Sequence, residues 1–186
     1  MKELAAIRES LTAHSDEKAG AAARKFIPSS QNVYGVRVPI LNELALKHKD
    51  GGFELIEALW KSGAFEERLL AAKLLGKVCK QDPERTLELT KRFAGDISDW
   101  AVCDTLGMQG VKGIASKQNA AIFGLSKSLI KSTNPWERRL AIVLLTHFTK
   151  DRSRRQAIEV IVDQVRKDKE HYVKKAVEWI DRDLRK

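Results

Sequence analysis

Trp100 and Asp104 lie four residues apart in the segment Asp96-Ile-Ser-Asp-Trp-Ala-Val-Cys-Asp-Thr105. On a helix that spacing projects both side chains from one face. By itself the pair fits a packed tryptophan beside an exposed carboxylate near a helix start. The other tryptophans change the reading. Trp136 is followed by Arg138 and Arg139, and Trp179 by Arg182. Rings and guanidinium groups interleaved along a basic helical stack suit nucleic-acid binding, the rings for sugar and base contact and the arginines for phosphate. Trp60 is expected in the core. The four histidines, His14, His48, His147 and His171, fall in separate segments and read as surface or packing residues. There is no Ser-His-Asp or Cys-His arrangement. Gly107, Gly110 and Gly113 follow a helix instead of a strand, which fails the context a dinucleotide loop requires.

The charge balance agrees with a polyanionic partner. The chain of 186 residues carries 34 Lys and Arg against 25 Asp and Glu, a formal net charge of +9. From Lys131 to Lys186 there are 15 basic and 9 acidic residues, so six of the nine excess charges lie in that stretch. Nucleic acid is the commonest polyanion in a cell. A hydrophobic content of 43% with 32% charged residues is that of an ordinary globular domain, and the length predicts one domain, 1–186. No apolar run reaches the roughly 18–20 residues of a membrane span. The charged N-terminal stretch has no apolar signal region. Cys79 and Cys103 have neither metal-ligand nor disulfide-framework spacing. The expectation is a cytoplasmic protein with no metal.

The elements that must position these residues read as helices. Leu41, Leu44 and Ala45 keep helical spacing, as do Leu140, Ala141, Leu144 and Leu145. Leu69, Leu70, Lys73 and Leu74 do the same, with a polar opposite face expected. Breaks fall around Pro28, Gly35 and Pro39, at Gly51–Gly52 and at Ser62–Gly63. Asp82–Pro83 and Asn134–Pro135 have the form of a capping side chain before a proline in the first helical turn. Ser98 or Asp99 is expected to cap the helix that carries Trp100. Glu66-Glu-Arg-Leu-Leu-Ala-Ala-Lys-Leu-Leu75 aligns with Trp136-Glu-Arg-Arg-Leu-Ala-Ile-Val-Leu-Leu145 at an offset of 70, with six of ten positions identical. Half that offset, 35, also reaches Ala176, while the middle copy around Trp100 fits loosely. Helix pairs at such a period predict an all-α chain, an α-solenoid of HEAT-like repeats with a concave basic surface, its period shorter than the usual ~40–47 residues.

Four segments in order resemble the AlkD-type DNA alkylation repair glycosylase family, over nearly the whole chain. Tyr34-Gly-Val-Arg-Val-Pro39 looks like its opening motif, and Trp100-x-x-x-Asp104 like its catalytic tryptophan and aspartate. Trp136-Glu-Arg-Arg-Leu-Ala-Ile resembles the segment that holds its arginine, which falls on Arg139. Tyr172-Val-x-Lys-Ala-Val-x-Trp179-x-x-Arg182 resembles the closing motif. Two features depart from the family. One or two helices are expected beyond Arg182, where four residues follow. Asp99 stands where an aromatic or small residue is more familiar.

The resemblance implies a DNA glycosylase acting on positively charged N3- or N7-alkylated purines in duplex DNA, with no deep base-flipping pocket and no cofactor. An already cationic base leaves without a general acid, so stabilising the cationic sugar and directing water remain. In this reading Asp104 does both, and Trp100 and Trp179 flank the lesion nucleotide. DNA contacts then fall to Arg139, Arg138, Arg182, Tyr34, Arg37 and Trp136, on a monomer. Arg138 and Arg139 compete for the DNA-facing position, since one residue turns a helical side chain by about 100°. A solenoid that binds DNA without catalysis, or one that binds protein partners, fits the same pattern.

Overall fold

The computed structural model describes residues 2–28 and 31–186, and among these every regular element is helical. The helices are α1 (Lys2–Ala13), α2 (Glu17–Ala23), α3 (Val38–Lys47), α4 (Gly52–Lys61), α5 (Phe65–Val78) and α6 (Pro83–Ala94). They continue with α7 (Trp100–Thr105), α8 (Asn119–Leu129), α9 (Pro135–Leu145), α10 (Arg155–Val162) and α11 (His171–Leu184). No helix among the described residues is long and apolar enough to cross a membrane.

Capping fixes where several of these begin. Asp82 accepts a hydrogen bond from the Arg85 amide, Asp99 from Val102 and Asn134 from Trp136, at 2.9, 2.8 and 2.9 Å. Pro83 and Pro135 occupy the first turns behind two of these caps, where a missing amide hydrogen costs nothing. The helix carrying Trp100 is thus capped by Asp99.

Successive inner helices pack on one another, α3 on α5, α5 on α7, α7 on α9 and α9 on α11, with α4 and α8 lying against α5 and α9 from outside. The inner helices from α5 onward start at residues 65, 100, 135 and 171, so the 35-residue period is the spacing of the stack. The fold is an α-solenoid, each layer burying its apolar face against the next. The middle copy reads loosely because α7 is only six residues long and runs directly into a π-helical turn, Leu106–Gly110.

The expected polar face of α5 is not on the surface. Glu66, Glu67 and Lys73 are all buried, because α5 has neighbours on both sides, and the two carboxylates find partners inside the protein. The Glu66 carboxylate accepts the backbone amides of Tyr34, Gly35 and Val36 at 2.9, 2.7 and 3.1 Å. Glu67 takes the guanidinium of Arg8 on α1 at 3.0 and 3.2 Å and the Tyr34 hydroxyl at 2.8 Å. The loop can wrap the Glu66 carboxylate because Gly35 has φ +81°, and a Cβ there would meet the Asp16 carbonyl at 2.6 Å.

Candidate functional site

Asp104 lies in the last turn of the short α7 helix, one turn after Trp100. Its carboxylate meets Arg139 of α9 in a two-point pair, Nε to Oδ1 at 2.9 Å and Nη2 to Oδ2 at 2.8 Å. The third guanidinium nitrogen of Arg139 donates to the Tyr172 carbonyl of α11 at 2.6 Å. One arginine therefore joins three consecutive inner helices and fixes the carboxylate in orientation. The Asp104 side chain stays 19% exposed, against 7% for Arg139. Burial pushes the Asp104 carboxyl above its usual value, against the opposing pull of Arg139.

Asp104 opens on a cleft of about 1050 Å³ whose lining also includes Gln109, Trp179 and the cations Lys112, Lys150 and Arg152. Among the described residues none of these three cations forms an ion pair. The lining also carries Asp183, paired with Lys186, and Arg155, paired with Glu159. The unpaired cations leave the cleft with excess positive charge around Asp104, the pattern of a surface that takes an anionic polymer. His147 also lines it. Its Nε2 lies 2.9 Å from the Gly107 carbonyl, an acceptor, so that nitrogen carries the proton. Burial lowers its pKa, and the ring is a packing group between α9 and the π-helical turn.

The structure brings Trp179 and Asp104 into one cleft but leaves Trp100 outside its lining. Trp100 is 38% exposed, with its ring centroid 4.9 Å from that of Phe26. Trp136 is half-buried and stacks on Tyr172 at 4.9 Å. Trp60 is in the core as expected, stacked on Phe93 at 4.1 Å, with its indole nitrogen donating to Asp96.

The expected phosphate ligands divide. Neither Arg138 nor Arg139 presents a free guanidinium. Arg138 grips Asp168 at 2.7 and 3.2 Å and donates to the Ser132 and Thr133 carbonyls. The donors of Arg139 are engaged as well, by Asp104 and the Tyr172 carbonyl. The Tyr34 hydroxyl is likewise committed to Glu67, and burial together with that bond pushes it up to about 12. Arg37 is exposed and pairs with Asp16 at 2.7 Å. Arg182 is exposed.

Sequence reasoning missed the unpaired cations of the cleft. Lys150 and Arg152 belong to the basic run Lys150–Arg155, inside the stretch whose charge surplus was their only signal, and Lys112, which precedes that stretch, had none. Of Asp99 sequence reasoning foresaw the cap but not the burial, which is complete. Its Oδ1 caps α7, its Oδ2 has no partner, and burial pushes its pKa to about 6.

Fold and site define an α-helical solenoid with an arginine-clamped carboxylate in a cation-rimmed cleft. A family model described as DNA alkylation repair enzyme matches residues 7–186. The chain belongs to that family, and membership implies DNA as its substrate. Comparison with curated proteins finds no match.

Proposed function

We propose that the protein is a glycosylase that releases cationic N3- or N7-alkylated purines from duplex DNA. The observation that carries this reading is Asp104, an oriented, partly exposed carboxylate in a cation-rimmed cleft of a DNA alkylation repair enzyme. The alkylated base carries a positive charge, so when the bond to the sugar breaks it takes the bonding pair and leaves neutral. Positive charge then develops on the sugar, and a fixed carboxylate close by stabilises it more than it stabilises the ground state. Water adds to the anomeric carbon and loses a proton, which Asp104 can accept. Arg139 acts through Asp104 as a positioning residue that holds both oxygens in place. Trp179, in the same cleft, offers a ring face to the cationic nucleotide. Lys112, Lys150 and Arg152 supply the sequence-independent attraction to phosphate.

The test is release of 7-methylguanine from methylated duplex DNA by wild type and by Asp104→Asn. Wild type is expected to release the base, while the variant binds DNA almost as well and releases none. Equal release by both overturns the role of Asp104. Salt-sensitive binding without release by wild type leaves a DNA-binding solenoid and overturns the catalytic reading.

A further inference from the structure

Lys73 is a buried cation that the reading above does not use. Its side chain leaves α5 with the residue only 6% exposed, yet no carboxylate among the described residues pairs with it. Its ammonium donates instead to Asn42 Oδ1 on α3 at 2.8 Å and to Gln109 Oε1 in the π-helical turn at 3.3 Å. Burial lowers its pKa, and Lys77 acts in the same direction. A buried charge answered only by neutral amides is poorly compensated.

The chemistry of the donor fixes the two amides. An ammonium has three donors and no acceptor, so each carboxamide must turn its oxygen to Lys73 and its NH2 away. Asn42 and Gln109 are both exposed, so their NH2 groups are the ends available to a ligand. Gly76 secures the other half of the arrangement. It lies three residues after Lys73 on α5, and a Cβ there would meet the Gln109 carbonyl oxygen at 2.3 Å. Gly76 admits the backbone of the turn against α5 while Lys73 catches the side chain.

We infer that Asn42, Lys73 and Gln109 form a seat for one phosphodiester of bound DNA, at the edge of the cleft that holds Asp104. Two oriented NH2 donors in front of a positive charge match the non-bridging oxygens of a phosphate. The single ammonium matches the single negative charge of a phosphodiester. Gln109 belongs to the cleft lining together with Asp104 and Lys112, so the seat continues the cation-rimmed surface. The inference rests on the DNA-binding reading proposed above.

Anisotropy titrations of a labelled undamaged duplex over a range of salt test it, with wild type, Lys73→Met and Gln109→Glu, alongside thermal melts. The carboxylate introduced by Gln109→Glu can pair with Lys73, so this variant is expected to melt higher than wild type. It is also expected to bind DNA several-fold more weakly, with the salt slope of log K reduced by about one. Lys73→Met should weaken binding in the same way, and its effect should not add to that of Gln109→Leu. A merely structural role moves stability and binding together, so the opposed response of Gln109→Glu separates the two. Wild-type affinity in Gln109→Glu overturns the seat. So does inorganic phosphate that binds wild type but not Lys73→Met without displacing the duplex, which would mark a site for the free ion alone. Wild type that shows no salt-dependent binding overturns the DNA reading and the seat with it.

Discussion

Asp99→Asn is expected to make the protein more stable at neutral pH and no more stable in acid. The folded carboxyl is fully buried, with one oxygen on the Val102 amide and the other unpartnered. Arg68 pulls its pKa down, but burial outweighs that and the Asp104 charge adds to the rise, to about 6 from 3.8. At about 1.36 kcal/mol per pH unit, this difference is worth on the order of 3 kcal/mol. Between pH 4 and pH 6 the folded chain holds this proton more tightly than the unfolded chain. Stability therefore falls as pH rises through that window and stays reduced above it. Asparagine caps a helix about as well as aspartate and carries no charge. The variant should gain roughly 1–3 kcal/mol at pH 7.5, allowing for a less well matched amide beside Arg68, and nothing at pH 4. Urea unfolding followed by circular dichroism at both pH values, with unchanged m-values, measures it. A variant less stable than wild type at pH 7.5, or one offset equally at both pH values, refutes the reasoning.

Two further substitutions probe what positions the site. Gly76→Ala drives a methyl into the Gln109 backbone and should cost about 1–3 kcal/mol as overpacking, read as a fall of several degrees in melting temperature. Glu66→Ala strips three backbone amides of their acceptor and should cost roughly 3–5 kcal/mol, measured by urea unfolding.

What was legible in the sequence was what is decided locally or repeated. Asp82 and Asn134 announce helix starts because capping needs only the next two or three residues. The 35-residue period is visible because each inner helix meets the same kind of neighbour. The polar face expected of α5 was a misreading, since periodicity within one helix does not say how many sides are covered. The pairing of the arginines was not foreseen for a related reason. Arg139 and Asp104 lie 35 residues apart, Arg138 and Asp168 30, Lys73 and Gln109 36. Residues about one period apart face each other across adjacent layers, so opposite charges at that spacing pair with each other before any phosphate arrives. The period carried this information, but only once it was applied to charges as well as to leucines.

Arg139→Met decides between the two roles the arginine has been given. If it positions Asp104, removing it leaves a partly buried carboxylate without its partner, a change that typically costs 3–5 kcal/mol for a buried pair and less at the 19% exposure of this side chain. The pull that opposes burial is lost, so the Asp104 pKa rises further above its usual value. Base release requires the carboxylate form, so the acid limb of the single-turnover pH–rate profile should move to higher pH in the variant. The maximal rate should fall as well, because the oxygens are no longer held and the Tyr172 carbonyl loses its donor. If Arg139 instead opens to hold a phosphate when DNA binds, the acid limb should stay in place while the salt slope of log K falls by about one. An unmoved acid limb with a reduced salt slope would therefore overturn the positioning role and restore the phosphate contact that the sequence resemblance implied.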